Sequence, residues 1–256
     1  MTGAPLAILG TTASGKSAIV MELARHRGDI ELVSVDSMQV YRGMDIGTAK
    51  PTVDERNEVR HHLIDLVDPW ESFEVHTFQA AVRDALADID RRRKRAVLVG
   101  GTGLYPRAVV DDLDLPGQFP AIAAELAEEP DTEALHTRLA ALDPVAAARM
   151  EPTNRRRVLR ALEVTVGSGR PFSSFGPGLD AHPPTPITMV GLWLPRPVVA
   201  DRIERRYQQQ MADGFLDEVS RLAAGPELSR TAAQALGYRE LLAHLRGETT
   251  LDEALG

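Results

Sequence analysis

Gly10, Thr11, Thr12, Ala13, Ser14, Gly15, Lys16 and Ser17 form the stretch with the clearest chemistry. Glycines let the backbone fold back on itself, so successive N–H groups and the N-terminus of a following helix point at one anionic group. Lys16 adds a full positive charge, and Ser17 adds a hydroxyl suited to Mg²⁺ on phosphate oxygens. The spelling fits a phosphate-cradling loop, and so does its setting. An apolar run, Leu6 to Leu9, leads in as a strand, and a helical pattern, Ala18 to Ala24, leads out. The loop alone does not say whose phosphate it holds.

Two more short apolar runs, Glu31 to Val35 and Ala96 to Val99, read with Leu6 to Leu9 as buried parallel strands. In an open parallel sheet, ligands bind beyond the carboxyl ends of such strands. Asp36 follows the second strand, where a carboxylate can bind Mg²⁺, act as a general base, or merely cap a turn. The third strand runs into Gly100, Gly101, Thr102 and Gly103, which offer close backbone approach and, at Thr102, a hydroxyl for the same anion.

These residues need a scaffold, and the chain's patterning supplies one. Phe78, Ala81, Val82, Ala85, Leu86 and Ile89 recur at helical spacing and predict a helix over Val75 to Arg93. The basic run from Arg91 to Arg95 closes it, where positive charge favours the helix dipole and stays solvated. After Leu115, Pro116 and Gly117 the pattern is helical without strands: Ala121 to Ala127, Thr132 to Ala141, Pro144 to Met150 and Arg155 to Val166. A linker rich in proline and glycine, Ser168 to Pro186, precedes a strand at Ile187 to Leu194 and helices at Pro197 to Ala212, Leu216 to Ala223 and Gly237 to Arg246. The expected fold is α/β: a P-loop NTPase-like parallel sheet flanked by helices, with an inserted small all-helical domain. Residues 1–117 and 186–256 form the expected core, and 118–185 the insertion with its linker.

At 256 residues, with 43% hydrophobic and 26% charged side chains, the chain can bury one large core and a smaller unit. It has no apolar run of the roughly eighteen residues a membrane span needs, and no basic leader precedes the first strand, so a cytoplasmic protein is expected. A monomer is the default expectation. The absence of cysteine excludes disulfides and thiol catalysis. A net charge of −8 argues, alone, against nucleic acid, but its distribution matters more than its sum. Lysine occurs only at Lys16, Lys50 and Lys94, so nearly all positive charge is arginine, which suits bidentate phosphate contacts and base stacking. A GC-rich genome would produce the same bias.

The order of several strings resembles one family, the tRNA dimethylallyltransferases, also called tRNA isopentenyltransferases. They are GTTASGKS at 10–17, VDSMQVYRGMDIGTAKP at 35–51, HHLID at 61–65, DPWESFEV at 68–75, LVGGTGLY at 98–105, RALEV at 160–164, RIERR at 202–206 and GFLDEV at 214–219. The resemblance spans nearly the whole chain. It implies transfer of a dimethylallyl group from dimethylallyl diphosphate to N6 of adenosine 37, next to the anticodon. Gly10 to Ser17 would grip the diphosphate, with Mg²⁺ as cofactor at Ser17. Lys16, Thr102 and Arg202 would neutralise the leaving group, and Asp36 would accept the N6 proton. By the same resemblance Asp36, Ser37, Met38 and Gln39 would meet the extruded adenine, and Arg156, Arg157 and Arg160 in the helical insertion would bind the anticodon stem-loop.

Pro106 departs from the family pattern and is expected to shift the start of the next helix. The family also continues past the last residue here into a basic, aromatic-containing segment, so tRNA affinity is expected to be less secure than diphosphate binding. Three other readings compete: a small-molecule P-loop kinase with Asp36 as base, an adenylate isopentenyltransferase acting on free nucleotides, and a non-catalytic RNA-binding module. The long helical insertion disfavours the second. The third leaves unexplained why Lys16, Asp36 and Thr102 converge on one anion.

Overall fold

The computed structural model describes residues 4–101, 103–176 and 184–255. Contacts divide the chain into one unit of residues 1–110 with 185–256 and a second of 111–184.

In the first unit, β1 (Leu6–Gly10) leads to α1 (Lys16–Arg27) and β2 (Ile30–Ser34). Next come α2 (Val53–Glu58), β3 (His61–His62), α3 (Val75–Arg91), β4 (Arg95–Gly100) and α4 (Leu104–Val110). The sheet order is β3-β2-β4-β1-β5, every pair parallel, with β5 (Thr188–Leu192) added on the far side of β1. The chain moves from β1 across to β2, fills the gap with β4, and later returns to β1's other side. That reversal places the crevice for a ligand beyond the end of β1.

Side chains alternate across the sheet and bury both faces. Ile8, Leu32 and Val97 pack with Val20, Met21 and Ala24 of α1. Ala7, Val33 and Leu98 belong to a separate cluster with Phe78, Val82 and Ile89 of α3. Two-sided burial explains why these strands read as continuous apolar runs. β5 differs: it pairs with β1 alone at the sheet edge, and Thr188 to Gly191 are exposed despite their apolar composition.

The second unit contains α5 (Pro120–Ala127), α6 (Thr132–Leu142), α7 (Pro144–Ala147) and α8 (Arg155–Ser168), closed by a 3-10 turn at Phe172–Phe175. Asp131, Asp143 and Asn154 accept backbone N–H groups at the starts of α6, α7 and α8. Leu126, Leu135, Leu139, Val158, Ala161 and Leu162 form its core. The 3-10 turn lies inside the expected linker, whose residues 177–183 fall outside the described ones.

After β5 the first unit ends in α9 (Arg196–Ala212), α10 (Phe215–Ala223), α11 (Arg230–Ala233), α12 (Tyr238–Leu245) and α13 (Leu251–Leu255). Among the described residues no helix is long and apolar enough to cross a membrane. Two sequence expectations are refined. Pro106 does not delay its helix, because it sits in the first turn of α4, where the missing N–H has no carbonyl to serve. In the basic run, Arg92 pairs with Asp88 and with the buried Glu31 of β2, rather than remaining in solvent.

Candidate active site

The loop between β1 and α1 is bent by two left-handed residues, Ala13 at φ 60° and Gly15 at φ 93°. Ser14 N donates to the Thr11 carbonyl at 3.3 Å to close the turn, and the N-terminus of α1 follows at Lys16, where free backbone N–H groups favour an anion. Gly10 is needed for a different reason: a Cβ there would lie 2.7 Å from the Leu192 carbonyl oxygen of β5 and 2.9 Å from Ser14 Oγ. Lys16 arches back across the loop, its Nζ donating to the carbonyls of Gly10 at 2.8 Å and Thr11 at 2.7 Å. No acidic side chain occupies the first turn of α1, so nothing there offsets the positive helix end. Ser17 follows Lys16 on α1, exposed and without a hydrogen-bond partner among the described residues.

The neighbouring strand ends bring Asp36 alongside. Val35 N donates to Val99 O at 2.8 Å, and a Cβ at Gly100 would lie 2.7 Å from the Val35 carbonyl oxygen. Glycine at the end of β4 therefore lets the exit of β2 come close. Asp36 Oδ1 accepts the Met38 N–H at 2.8 Å, which closes a turn through Ser37. Val40 and Tyr41, both fully buried, anchor the turn to the core. Gln39 is fixed at both ends of its amide. Its Oε1 accepts from Ser34 Oγ at 2.8 Å, and its Nε2 donates to the carbonyls of Thr48 and Ala49, each at 3.3 Å.

Helix α9 supplies two arginines one turn apart. Arg202 is exposed and donates to the Ala13 carbonyl at 3.4 Å, so it reaches the phosphate loop. Arg206 is half-buried and has no hydrogen bond or ion pair to the described residues. Burial lowers its pKa, and the charge of Asp36 partly opposes that. Lys16 behaves in the same way: burial lowers its pKa, Asp36 counteracts, and Arg206 adds to the lowering. Lys16 and Arg206 are thus near enough to feel each other's charge and that of Asp36, and two cations close together favour an anion between them. Sequence reasoning settled on Arg202 and passed over Arg206; the signal was their four-residue spacing, which puts both on one helix face. Thr102 lies outside the described residues.

In the helical unit the four arginines Arg155, Arg156, Arg157 and Arg160 separate into two pairs. Arg155 donates to the carbonyls of Ala127, Glu129 and Pro130, finishing the end of α5. Arg160 donates to the carbonyls of Pro116 and Gly117 at 2.8 and 3.1 Å and pairs with Glu163 at 2.8 Å. Arg156 and Arg157 are exposed at the start of α8, with side chains that have no partner among the described residues.

A glycine-bent loop joining a strand to a helix N-terminus, at the reversal point of a parallel sheet, defines the P-loop class of phosphate-binding α/β proteins. Within that class, the IPP transferase family model matches residues 39–256, and an isopentenyl transferase model matches 5–68. The chain is 47% identical to a tRNA dimethylallyltransferase of Geobacter metallireducens, over 97% of this chain and 82% of that one. It is 48% identical to one from Roseiflexus castenholzii, over 98% and 83%. Among solved structures, a full-length tRNA isopentenylpyrophosphate transferase from Bacillus halodurans superimposes with a TM-score of 0.69 at 40% identity, covering 98% of this chain and 80% of that one. A eukaryotic dimethylallyltransferase acting on tRNA gives 0.79 at 26% identity, covering 99% and 65%. The chain belongs to the IPP transferase family, the family of the tRNA dimethylallyltransferases.

Proposed function

We propose that this chain transfers the dimethylallyl group of dimethylallyl diphosphate to N6 of adenosine 37 in tRNA. The observation that carries this reading is the glycine-bent loop at the end of β1, with Lys16 arched across it, Arg202 reaching it at Ala13, and the Asp36 turn at the exit of β2 on the same end of the sheet. In the reaction the allylic C–O bond breaks and its electron pair leaves with the diphosphate. The N6 lone pair forms the new C–N bond, and the N6 proton passes to Asp36. Charge grows on the diphosphate as the bond lengthens, so donors fixed on it stabilise the transition state more than the ground state. The loop N–H groups of 11–17, Lys16, Arg202, Arg206 and Thr102 serve this role. An aromatic amine is a weak nucleophile, which is why a base at Asp36 matters on the opposite side of the carbon.

A divalent ion, proposed as Mg²⁺, fits the donor set: the exposed hydroxyl of Ser17 beside the diphosphate cradle is a hard oxygen ligand. It would supply further charge neutralisation of the leaving group.

An adenine stacked in the anticodon loop cannot reach this crevice, so the base must be extruded. Asp36, Ser37, Met38 and Gln39 form the turn that meets its edge. In the helical unit, Arg156 and Arg157 are exposed side chains suited to the phosphates of the anticodon arm. Arg160, already committed to Pro116, Gly117 and Glu163, supports that surface from within.

The test offers unmodified tRNA with dimethylallyl diphosphate, and in parallel free AMP with the same donor and ATP with candidate acceptors. The expected product is N6-prenylated adenosine in the digested tRNA, with ATP unconsumed. Prenylated AMP alone, or consumption of ATP, would transfer the site to one of the competing reactions.

A further inference from the structure

Glu218 of α10 is 2% exposed, yet among the described residues neither lysine nor arginine reaches it. Its carboxylate instead accepts four hydrogen bonds: from the N–H groups of Asp45 and Ile46 at 2.9 Å each, of Gly47 at 3.3 Å, and from the Tyr238 hydroxyl at 2.5 Å. Burial and the Glu218 charge both push the Tyr238 phenol upward, so the hydroxyl remains a donor. The opposite side of the same segment is also held. Gln210 Nε2 of α9 donates to the carbonyls of Ile46 and Gly47 at 2.5 and 3.1 Å. Gly47 lies directly on an aromatic pair, since a Cβ there would overlap the rings of Phe215 and Tyr238. Residues 45–47 are thus fixed through N–H, carbonyl and Cα by three helices.

The next two residues pass this placement on. The carbonyls of Thr48 and Ala49 accept from Gln39 Nε2, Gln39 Oε1 accepts from Ser34 Oγ, and Ser34 Oγ receives the Asp36 N–H at 3.4 Å. An unbroken series of bonds therefore runs from a carboxylate on α10 to the turn bearing the base. We propose that Glu218 is a positioning residue for the reaction: by setting the backbone of 45–49 it orients the Gln39 amide and holds the Asp36 to Gln39 turn in the geometry that receives the adenine. This inference rests on the proposed role of that turn. It separates two parts of the site, because the diphosphate loop at 10–17 has no share in the series.

The test compares wild type, Glu218→Gln and Tyr238→Phe. The glutamine keeps the size of the side chain but presents an N–H₂ where N–H donors must be accepted. The phenylalanine removes one of the four bonds and leaves its ring beneath Gly47. Three quantities are measured: steady-state prenylation of tRNA, affinity for inorganic diphosphate with Mg²⁺, and backbone amide exchange. For Glu218→Gln the expected loss in kcat/KM for tRNA is about tenfold or more, with diphosphate affinity within about twofold of wild type. Exchange should accelerate at 45–49 and also at 36–40, while 11–17 stays protected. Acceleration confined to 45–49, an unchanged kcat/KM for tRNA, or a parallel loss of diphosphate affinity would overturn the proposal. Should Glu218→Gln fail to fold, Tyr238→Phe carries the same measurements with the same signs. A wild-type chain that leaves tRNA unmodified would sink the proposed reaction instead, and the exchange pattern would still decide whether Glu218 controls the turn.

Discussion

In the proposed reaction Asp36 takes the N6 proton and Arg206 meets the charge of the leaving diphosphate, so substitution at each should act on a different step. Asp36→Ala removes the acceptor of the N6 proton, so turnover should fall by about 10²- to 10⁴-fold, while the Kd for tRNA measured without donor moves only a few-fold. Equal losses in both would make Asp36 a binding residue. Arg206→Ala should weaken binding of inorganic diphosphate more than Arg202→Ala does. The reason is solvation: Arg206 is half-buried beside Lys16, where a charge is poorly screened, and Arg202 is exposed. Calorimetric titration of the two variants checks the order, and a larger loss at Arg202 would contradict it.

At the scale of elements, the packing of the 45–47 segment makes Gly47→Ala a stringent probe. The new methyl would overlap the rings of Phe215 and Tyr238, and overpacking of this kind costs about 1–3 kcal/mol, visible as a lowered melting temperature. In the helical unit, Arg156→Ala and Arg157→Ala should each reduce the salt dependence of tRNA binding, by close to one ion for every phosphate that is no longer neutralised. Arg160→Ala should instead lower thermal stability and leave the salt slope nearly intact, since its guanidinium serves Pro116, Gly117 and Glu163. This division was invisible in the sequence, where four arginines over six positions look equivalent. Helices and strands with strong periodicity, such as α3 and the three inner strands, were legible because burial writes itself into spacing. The two-residue strand β3 and the short helices α2, α11 and α13 were not, because their existence depends on tertiary contacts and caps. Arg206 escaped for a related reason: the unpaired state of a cation is set by what the rest of the fold withholds from it.

For the whole molecule, β2, the strand next to the sheet edge at β3, carries a buried charge that links stability to pH. Burial alone would raise the carboxyl of Glu31, but Arg92 and His62 outweigh it and hold it below the ordinary glutamate value of 4.5. A depressed folded-state pKa stabilises above the unfolded value and is lost as pH falls through the folded one. Melting temperature should therefore decline as pH drops below about 4.5, and Glu31→Gln should flatten that part of the profile while lowering stability near neutrality. An unchanged acid slope in the variant would remove Glu31 from the account. The central claim concerns the carboxyl end of β1, where a loop of the P-loop class is proposed to serve a departing diphosphate. A crystal structure with a thio-analogue of the prenyl donor tests it most directly. The account predicts diphosphate within the 10–17 loop, contacted by Lys16 and Arg206, with the allylic carbon facing Asp36; diphosphate bound elsewhere while that loop stayed clear would contradict it.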